Sequence, residues 1–298
     1  MQYIRALKDN SARHIMRGIT VFALLFLIII GTGLFINALP IIREKGIWVL
    51  LTSGNWKPFK GDFGFLPYIL STIYVSLLAI AIALPLSLMT AIYLNTYASS
   101  KLRRVFQPFI DVLSGIPSVI FGVWGTLTIV PFIANHLAPH FVEYSSGYSV
   151  LAGGIVLAVM ILPLLISVLL EVFDAIPREM RDASLQLGAT KWQTVKKVVL
   201  RKSFPGIIAA VVLSVSRAFG ETIAVLMVCG NISFIPQSIF DGCYPLPALI
   251  ANNYGEMLSM PSYESALMLA ALLLFIIVVL FNAASRVTLV QIEKRYSL

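Results

Sequence analysis

Two charged residues, Arg217 and Glu221, stand in an otherwise apolar stretch, residues 211–231 (VVLSVSRAFGETIAVLMVCGN). An isolated charge at a bilayer centre costs about 2.5–3.5 kcal/mol on insertion scales, so it is retained where it faces a bundle interior or cavity and is compensated. Four residues apart, the two are expected on one face of one helix, where each can neutralise the other. Two readings are open. One is an ion pair that only orients the helix. The other is a station on a transport route, and it is favoured because ionisable residues within spans mark such routes. The arginine also suits a tetrahedral oxyanion, since its planar fork donates two parallel hydrogen bonds.

A second polar region, residues 176–206, reads IPREMRDASLQLGATKWQTVKKVVLRKSFPG. Pro177 fits the first turn of a helix, where its missing N–H costs nothing. Good helix formers follow over 178–187, and Gly188 is placed to end them. Thr190 with Gln193 three residues on makes a capping box for a second helix over about 191–203. That helix is basic on one side and carries Val195, Val198 and Val199 on the other. It either lies on anionic lipid or docks on a partner. The chain contains no G-x-x-x-x-G-K-[ST] phosphate loop and no H-E-x-x-H motif. If ATP drives this protein, a partner binds it.

The elements that position these groups follow from composition. Of 298 residues, 58% are hydrophobic and 12% charged, and the mean hydropathy is +0.89. Soluble domains carry about 25% charged and 45–50% apolar residues. An ordinary soluble enzyme and a disordered chain are excluded, and a β-barrel is disfavoured because its strands alternate in polarity. The expected fold class is all-α: a polytopic membrane protein with six transmembrane helices. Apolar runs at 19–39, 70–94, within 105–142, 148–170, 205–230 and 265–285 supply the spans, each long enough for a ~30 Å hydrocarbon core. The first is too long for a signal-peptide core and is read as uncleaved.

Six spans put both termini on one side. The N-terminus, the second and fourth connections and the C-terminus hold four, three, seven and three Lys or Arg, 17 in all. The first connection holds four, and the third and fifth none. Basic residues collect on the cytoplasmic side, so both termini are expected there. The net charge of +8 therefore points to topology and the lipid bilayer, with no nucleic-acid partner.

Weaker features are Asp111, read as a helix-terminus residue, and the in-span prolines Pro85, Pro117 and Pro163, read as kinks. Cys229 and Cys243 fall near the outer face and could pair there. His136 and His140 are read as solvent-exposed and not as metal ligands.

The residues also carry a resemblance. Asp182-Ala183-Ser184, then Gly188, the Val-Val-Leu run and Pro205-Gly206 resemble the Glu-Ala-Ala loop of ABC importer permeases, with Asp and Ser in place of Glu and the second Ala. Ser216-Arg217-Ala218-Phe219-Gly220-Glu221-Thr222-Ile223-Ala224-Val225 resembles the fifth-span motif of the phosphate-specific permeases. Gly115-Ile116-Pro117-Ser118-Val119 with Gly122-Val123-Trp124-Gly125 resembles their third span, and Phe63-Gly64-Phe65-Leu66-Pro67 fits before the second. The Glu-Thr-x-Ala-Val ending favours the PstC type, although Ala91-Ile92-Tyr93-Leu94 is common in the PstA type.

The resemblance implies a type I permease fold in a bacterial inner membrane. Its expected parts are a cytoplasmic tail over 1–18, a first helix over 19–42, a five-helix core over 67–286 with a coupling loop at 171–205, and a tail over 287–298. It implies a second permease (PstA type), two ATPase subunits (PstB type) and a phosphate-binding protein (PstS type). This chain would bind no cofactor and catalyse nothing, with ATP and Mg on the ATPase. Arg217, Glu221, Thr222 and Ser118 are assigned to the substrate pathway. Asp182, Ala183, Ser184, Gly188, Ala189 and Thr190 are assigned to ATPase coupling. The rivals are the same machinery for sulfate, molybdate or tungstate, and an ATP-independent channel or secondary transporter. The coupling loop and the lack of inverted-repeat hydropathy speak against the last.

Overall fold

A bilayer offers no water to an unpaired peptide group, so a chain this apolar folds as helices that satisfy their own backbone. The computed structural model describes residues 2–255 and 260–296. In chain order its helices are α1 (Gln2–Lys45), α2 (Ile47–Thr52), α3 (Leu66–Ile92), α4 (Ser100–Ser114), α5 (Ser118–Trp124), α6 (Val130–Phe132), α7 (Val150–Asp174), α8 (Arg178–Gln186), α9 (Lys191–Thr194), α10 (Leu200–Gly220), α11 (Ile223–Val228), α12 (Leu246–Asn253) and α13 (Pro261–Tyr296). A two-stranded hairpin, β1 (Trp56–Lys57) with β2 (Asp62–Phe63), precedes α3.

Among the described residues, six helical runs are long and apolar enough to cross a membrane: Ala12–Lys45, Leu66–Tyr97, Ser118–His140, Val150–Asp174, Lys191–Gly220 and Pro261–Thr288. Each overlaps one expected run. The regions expected as tails are helical extensions of α1 and α13, with Met1, Ser297 and Leu298 outside the described residues.

Three expectations change. Pro117 does not lie inside a helix; it caps α5 from outside, with φ −59° and ψ 140°, because proline suits the entry to a helix better than its middle. Asp111 is at a helix terminus, as expected, but not at the start of a span: it is exposed in the last turn of α4, the end whose dipole disfavours a carboxylate. The basic helix expected at 191–203 is not separate. It runs through a π-helical turn at Val195–Val199 into α10 and onward past Pro205.

The bundle is organised around α7, the most buried span. Small buried residues, Ala79 and Ala83 on α3 and Ala152 and Ala158 on α7, let the two helices approach closely. Ser87 Oγ donates to the Leu162 carbonyl across them at 3.4 Å. At one end of the bundle the segment entering α12 is stitched to α3. The amides of Tyr244 and Leu246 donate to Ser71 Oγ (3.2 Å) and Thr72 Oγ1 (2.8 Å). The other end has its own core, in which Leu165, Leu169 and Phe173 pack with Leu94 and Val199. That end carries α8.

Candidate functional site

The fifth span stops at Gly220. Glu221 is extended (φ −71°, ψ 126°) and α11 restarts at Ile223. Glycine is a poor helix former, and the next two side chains replace the lost backbone bonds. Glu221 Oε1 accepts from the Ala224 amide at 3.1 Å, a favourable place for a carboxylate at a helix start. Thr222 Oγ1 donates to the Gly220 carbonyl at 3.2 Å. The expectation that Arg217 and Glu221 pair on one helix face is therefore corrected. The helix ends between them, and no ion pair joins them; the ion pairs among the described residues are Glu44–Lys45 and Arg103–Asp174.

Arg217 is half-buried in the last turn of α10 and makes no hydrogen bond or ion pair among the described residues. Its neighbour Ser216 bonds Asn282 Oδ1 at 2.9 Å, fixing α10 to α13. On the Glu221 side, a void of about 10 Å³ lies against Thr72, Ser76 and Phe219. That holds about one water and no tetrahedral oxyanion. Beyond Arg217, Gly220 is exposed at the end of α10.

α5 packs beside α11 in parallel. A side chain at Gly122 would meet Met227 Sδ at 2.7 Å and Ala224 Cα at 3.3 Å. One turn on, Thr126 Oγ1 donates to the Met227 carbonyl at 3.1 Å. Half-buried Ser118 lies one turn before Gly122 on the same helix. Glu221 and Thr222 thus flank the break, Arg217 lies one turn before it on α10, and Ser118 stands on the neighbouring α5. The sequence reading missed the break itself. Gly220 followed by Thr222 before an apolar run is a helix stop and start signal that could have shown it.

The loop between α7 and α10 has the expected helix–turn–helix form. α8 ends at Gln186, and Gly188 takes φ +82°, a left-handed conformation that glycine adopts without strain. Ala189 N donates to the Ser184 carbonyl at 3.2 Å. The Thr190–Gln193 capping box is present in both directions, at 3.2 and 2.8 Å. Ser184 and Thr194 hydroxyls meet at 3.0 Å, closing α8 onto α9. Asp182 and Ala183 are exposed.

A polar network ties this loop to the spans, and nothing in the sequence spacing announced it. Asn95, past α3, donates to Asp174 at the end of α7 (2.7 Å) and accepts from Arg181 on α8 (2.7 Å). Arg103 pairs with Asp174, and Arg181 also donates to the Phe173 carbonyl. Burial pulls the Arg181 pKa below its usual value. Asp174 opposes that shift, while Arg103 and Arg178 add to it.

Cys229 and Cys243 are free, buried thiols on adjacent backbone; the Cys243 amide donates to the Cys229 carbonyl at 2.8 Å. His136 is exposed and stacked on Phe132 at 5.3 Å, and His140 is exposed. Among the described residues, no group of three His, Cys, Asp or Glu side chains is placed to hold a metal.

Residues 83–297 match the family model for the binding-protein-dependent transport system inner membrane component. The chain is 43% identical over 208 residues to the probable ABC transporter permease protein YqgH of Bacillus subtilis (strain 168), covering 69% of this chain and 66% of that protein. It is 32% identical over 297 residues to the phosphate transport system permease protein PstC of Pasteurella multocida (strain Pm70), covering 95% and 92%. Among solved structures, a chain of a bacterial alginate ABC transporter in complex with an alginate pentasaccharide-bound periplasmic protein is similar with a TM-score of 0.64. That similarity is at 14% identity and covers 93% of this chain and 94% of that one. The fold is that of a type I ABC importer permease.

Proposed function

Because the chain belongs to the family of binding-protein-dependent transport system inner membrane components, we propose that it is the PstC-type permease subunit of an ATP-driven importer for inorganic phosphate. A permease of this class works with ATPase subunits, a binding protein and a second permease. Here these are of PstB, PstS and PstA type, with ATP and Mg on the PstB-type subunits. The 17-to-4 basic split supports an orientation with both termini and α8 in the cytoplasm.

The observation that carries the phosphate reading is Arg217: half-buried, without a partner among the described residues, and beside a break in an apolar span. An unpaired guanidinium in a low-dielectric bundle attracts an anion and can hold two of its oxygens at once. Thr222 beside the break, and Ser118 on α5, add hydroxyls to the route. Glu221, held at the start of α11, places a negative charge nearby and limits affinity, so that the anion can leave. The void beside Glu221, about 10 Å³, is too small for phosphate, which supports a route between this chain and the second permease.

Coupling runs through the other end. Asp182, Ala183 and Ser184 on α8, with the turn Gly188-Ala189-Thr190, form the face that docks on the ATPase. α9 continues through a π-helical turn into the fifth span, so movement of α8 reaches Arg217 along one continuous helical run. The spans then alternate between outward and inward openings.

The test is uptake by the whole purified complex in liposomes. Radiolabelled phosphate should enter only with ATP and the binding protein, and excess sulfate, molybdate or tungstate should not compete. ATP-independent entry would indicate a channel or secondary transporter. Competition by another oxyanion at equal concentration would move the substrate assignment to it.

A further inference from the structure

α8 does not lie flush on the ends of the spans. A cavity of about 340 Å³ remains between α8, the segment after α3, the end of α7 and α9. Its walls carry Arg103, Arg178, Arg181 and Lys191 against Asp174 and Asp182, a surplus of two positive charges. Arg103 is committed to Asp174. Arg178 and Lys191 at the rim have no ion pair among the described residues.

The hydrogen bonding is incomplete in the same place. Arg181 places its two terminal nitrogens on Asn95 and the Phe173 carbonyl, which leaves Nε buried with no acceptor. Thr96 Oγ1, also in the cavity wall, is likewise buried without a partner. Buried donors left unpaired are costly, and several like charges around one cavity repel each other. One group relieves both: a compact anion with several acceptor oxygens.

We propose that this cavity binds a phosphate-type oxyanion, either free inorganic phosphate or the phosphate of an anionic phospholipid headgroup. Rim contacts would come from Arg178 and Lys191. Small rotations of Arg181 and Thr96 would turn their unpaired donors toward it. The bound anion would bridge α8 and α9 to the ends of the second and fourth spans. It would stiffen the loop that, on the reading above, docks the ATPase. This site is distinct from the Arg217 level. It lies at the α8 end of the bundle and is lined by none of the four pathway residues.

The experiment is hydrogen exchange of peptides covering 176–194 in the whole complex, without ATP, in nanodiscs. Arg217→Ala is used as background so that the transport station does not contribute. In purely phosphatidylcholine discs, inorganic phosphate should slow exchange in this segment. In phosphatidylglycerol discs without phosphate, protection identifies the headgroup as the source. Either result supports the site, provided the variants respond. Arg178→Gln with Lys191→Gln should raise the phosphate midpoint about tenfold or more, equivalent to about 1.4 kcal/mol. Thr96→Val, which alters no charge, should also raise it. Absence of protection by both anions would overturn the proposal, as would equal midpoints in the parent complex and both variants. Protection already complete in phosphatidylcholine discs without phosphate, with no further effect of either anion, would also overturn it, because the segment would then be protected by its ATPase contact. None of these readouts depends on whether phosphate is the transported ion.

Discussion

Glu221 and Arg217 lie on opposite sides of a helix break: Glu221 Oε1 takes the Ala224 amide at 3.1 Å, and Arg217 keeps no partner among the described residues. The carboxylate therefore has a structural task that does not involve the arginine. The arginine is left available for something the isolated chain does not supply.

That separation changes what a charge swap should do. Glu221→Gln retains an acceptor for the Ala224 amide, so the complex should assemble normally, with turnover reduced more than binding. Glu221→Leu should lose the cap and about 1 kcal/mol of stability, by analogy with other helix-cap losses. The double exchange of Arg217→Glu with Glu221→Arg should fail, because an arginine has no acceptor to offer that amide. Uptake and assembled complex, measured side by side, check this. Recovery in the double exchange would mean that the pair acts as an ion pair after all.

The turn between α8 and α9 gives a second expectation. Thr190→Ala removes the cap and should cost about 1 kcal/mol locally. Gly188→Ala places a Cβ at φ +82°, costing about 1–2 kcal/mol, and Gly188→Asn should be milder. The check is hydrogen exchange over 188–194 together with the ratio of ATP hydrolysed to phosphate moved. Looser exchange with unchanged coupling would mean that the loop rests on lipid and does not dock.

Much of this architecture is local, and the local parts were legible. The six spans follow from apolar length. The α8 turn follows from Gly188, and the capping box from Thr190 and Gln193, all contacts within a few residues. What escaped was of two kinds. The break at Gly220 was hidden because a strongly apolar run overrides a single glycine when periodicity alone is read. The Asn95–Asp174–Arg181 network joins residues up to 86 positions apart, and no spacing rule brings such partners together. The orphaned Thr96 and Arg181 atoms were unreadable for the same reason.

Close packing of α5 on α11 should make Gly122 intolerant of bulk. A Cβ there would lie 2.7 Å from Met227 Sδ and 3.3 Å from Ala224 Cα. Gly122→Val should destabilise by about 1–3 kcal/mol, typical of overpacking, and lower the melting temperature of the complex. Adding Met227→Ala should recover only part of the loss, since the Ala224 backbone remains in the way.

Orientation can be read by labelling single cysteines at the exposed positions Ser100, Gln186 and Ser146. Cys229 and Cys243, both fully buried, should stay silent in the native protein. Membrane-impermeant maleimide in intact cells should reach Ser146→Cys and neither of the others. External labelling at Gln186→Cys would reverse the topology and remove the coupling assignment.

The most direct measurement is ATP-dependent phosphate uptake by complexes carrying Arg217→Ala or Arg217→Lys. If Arg217 is the anion station, the alanine variant should assemble with its partners and lose at least about tenfold in uptake, the scale of a charged hydrogen bond. The lysine variant should remain poor, because it keeps the charge and loses the planar fork. Uptake at the parent rate in a fully assembled Arg217→Ala complex would contradict the account.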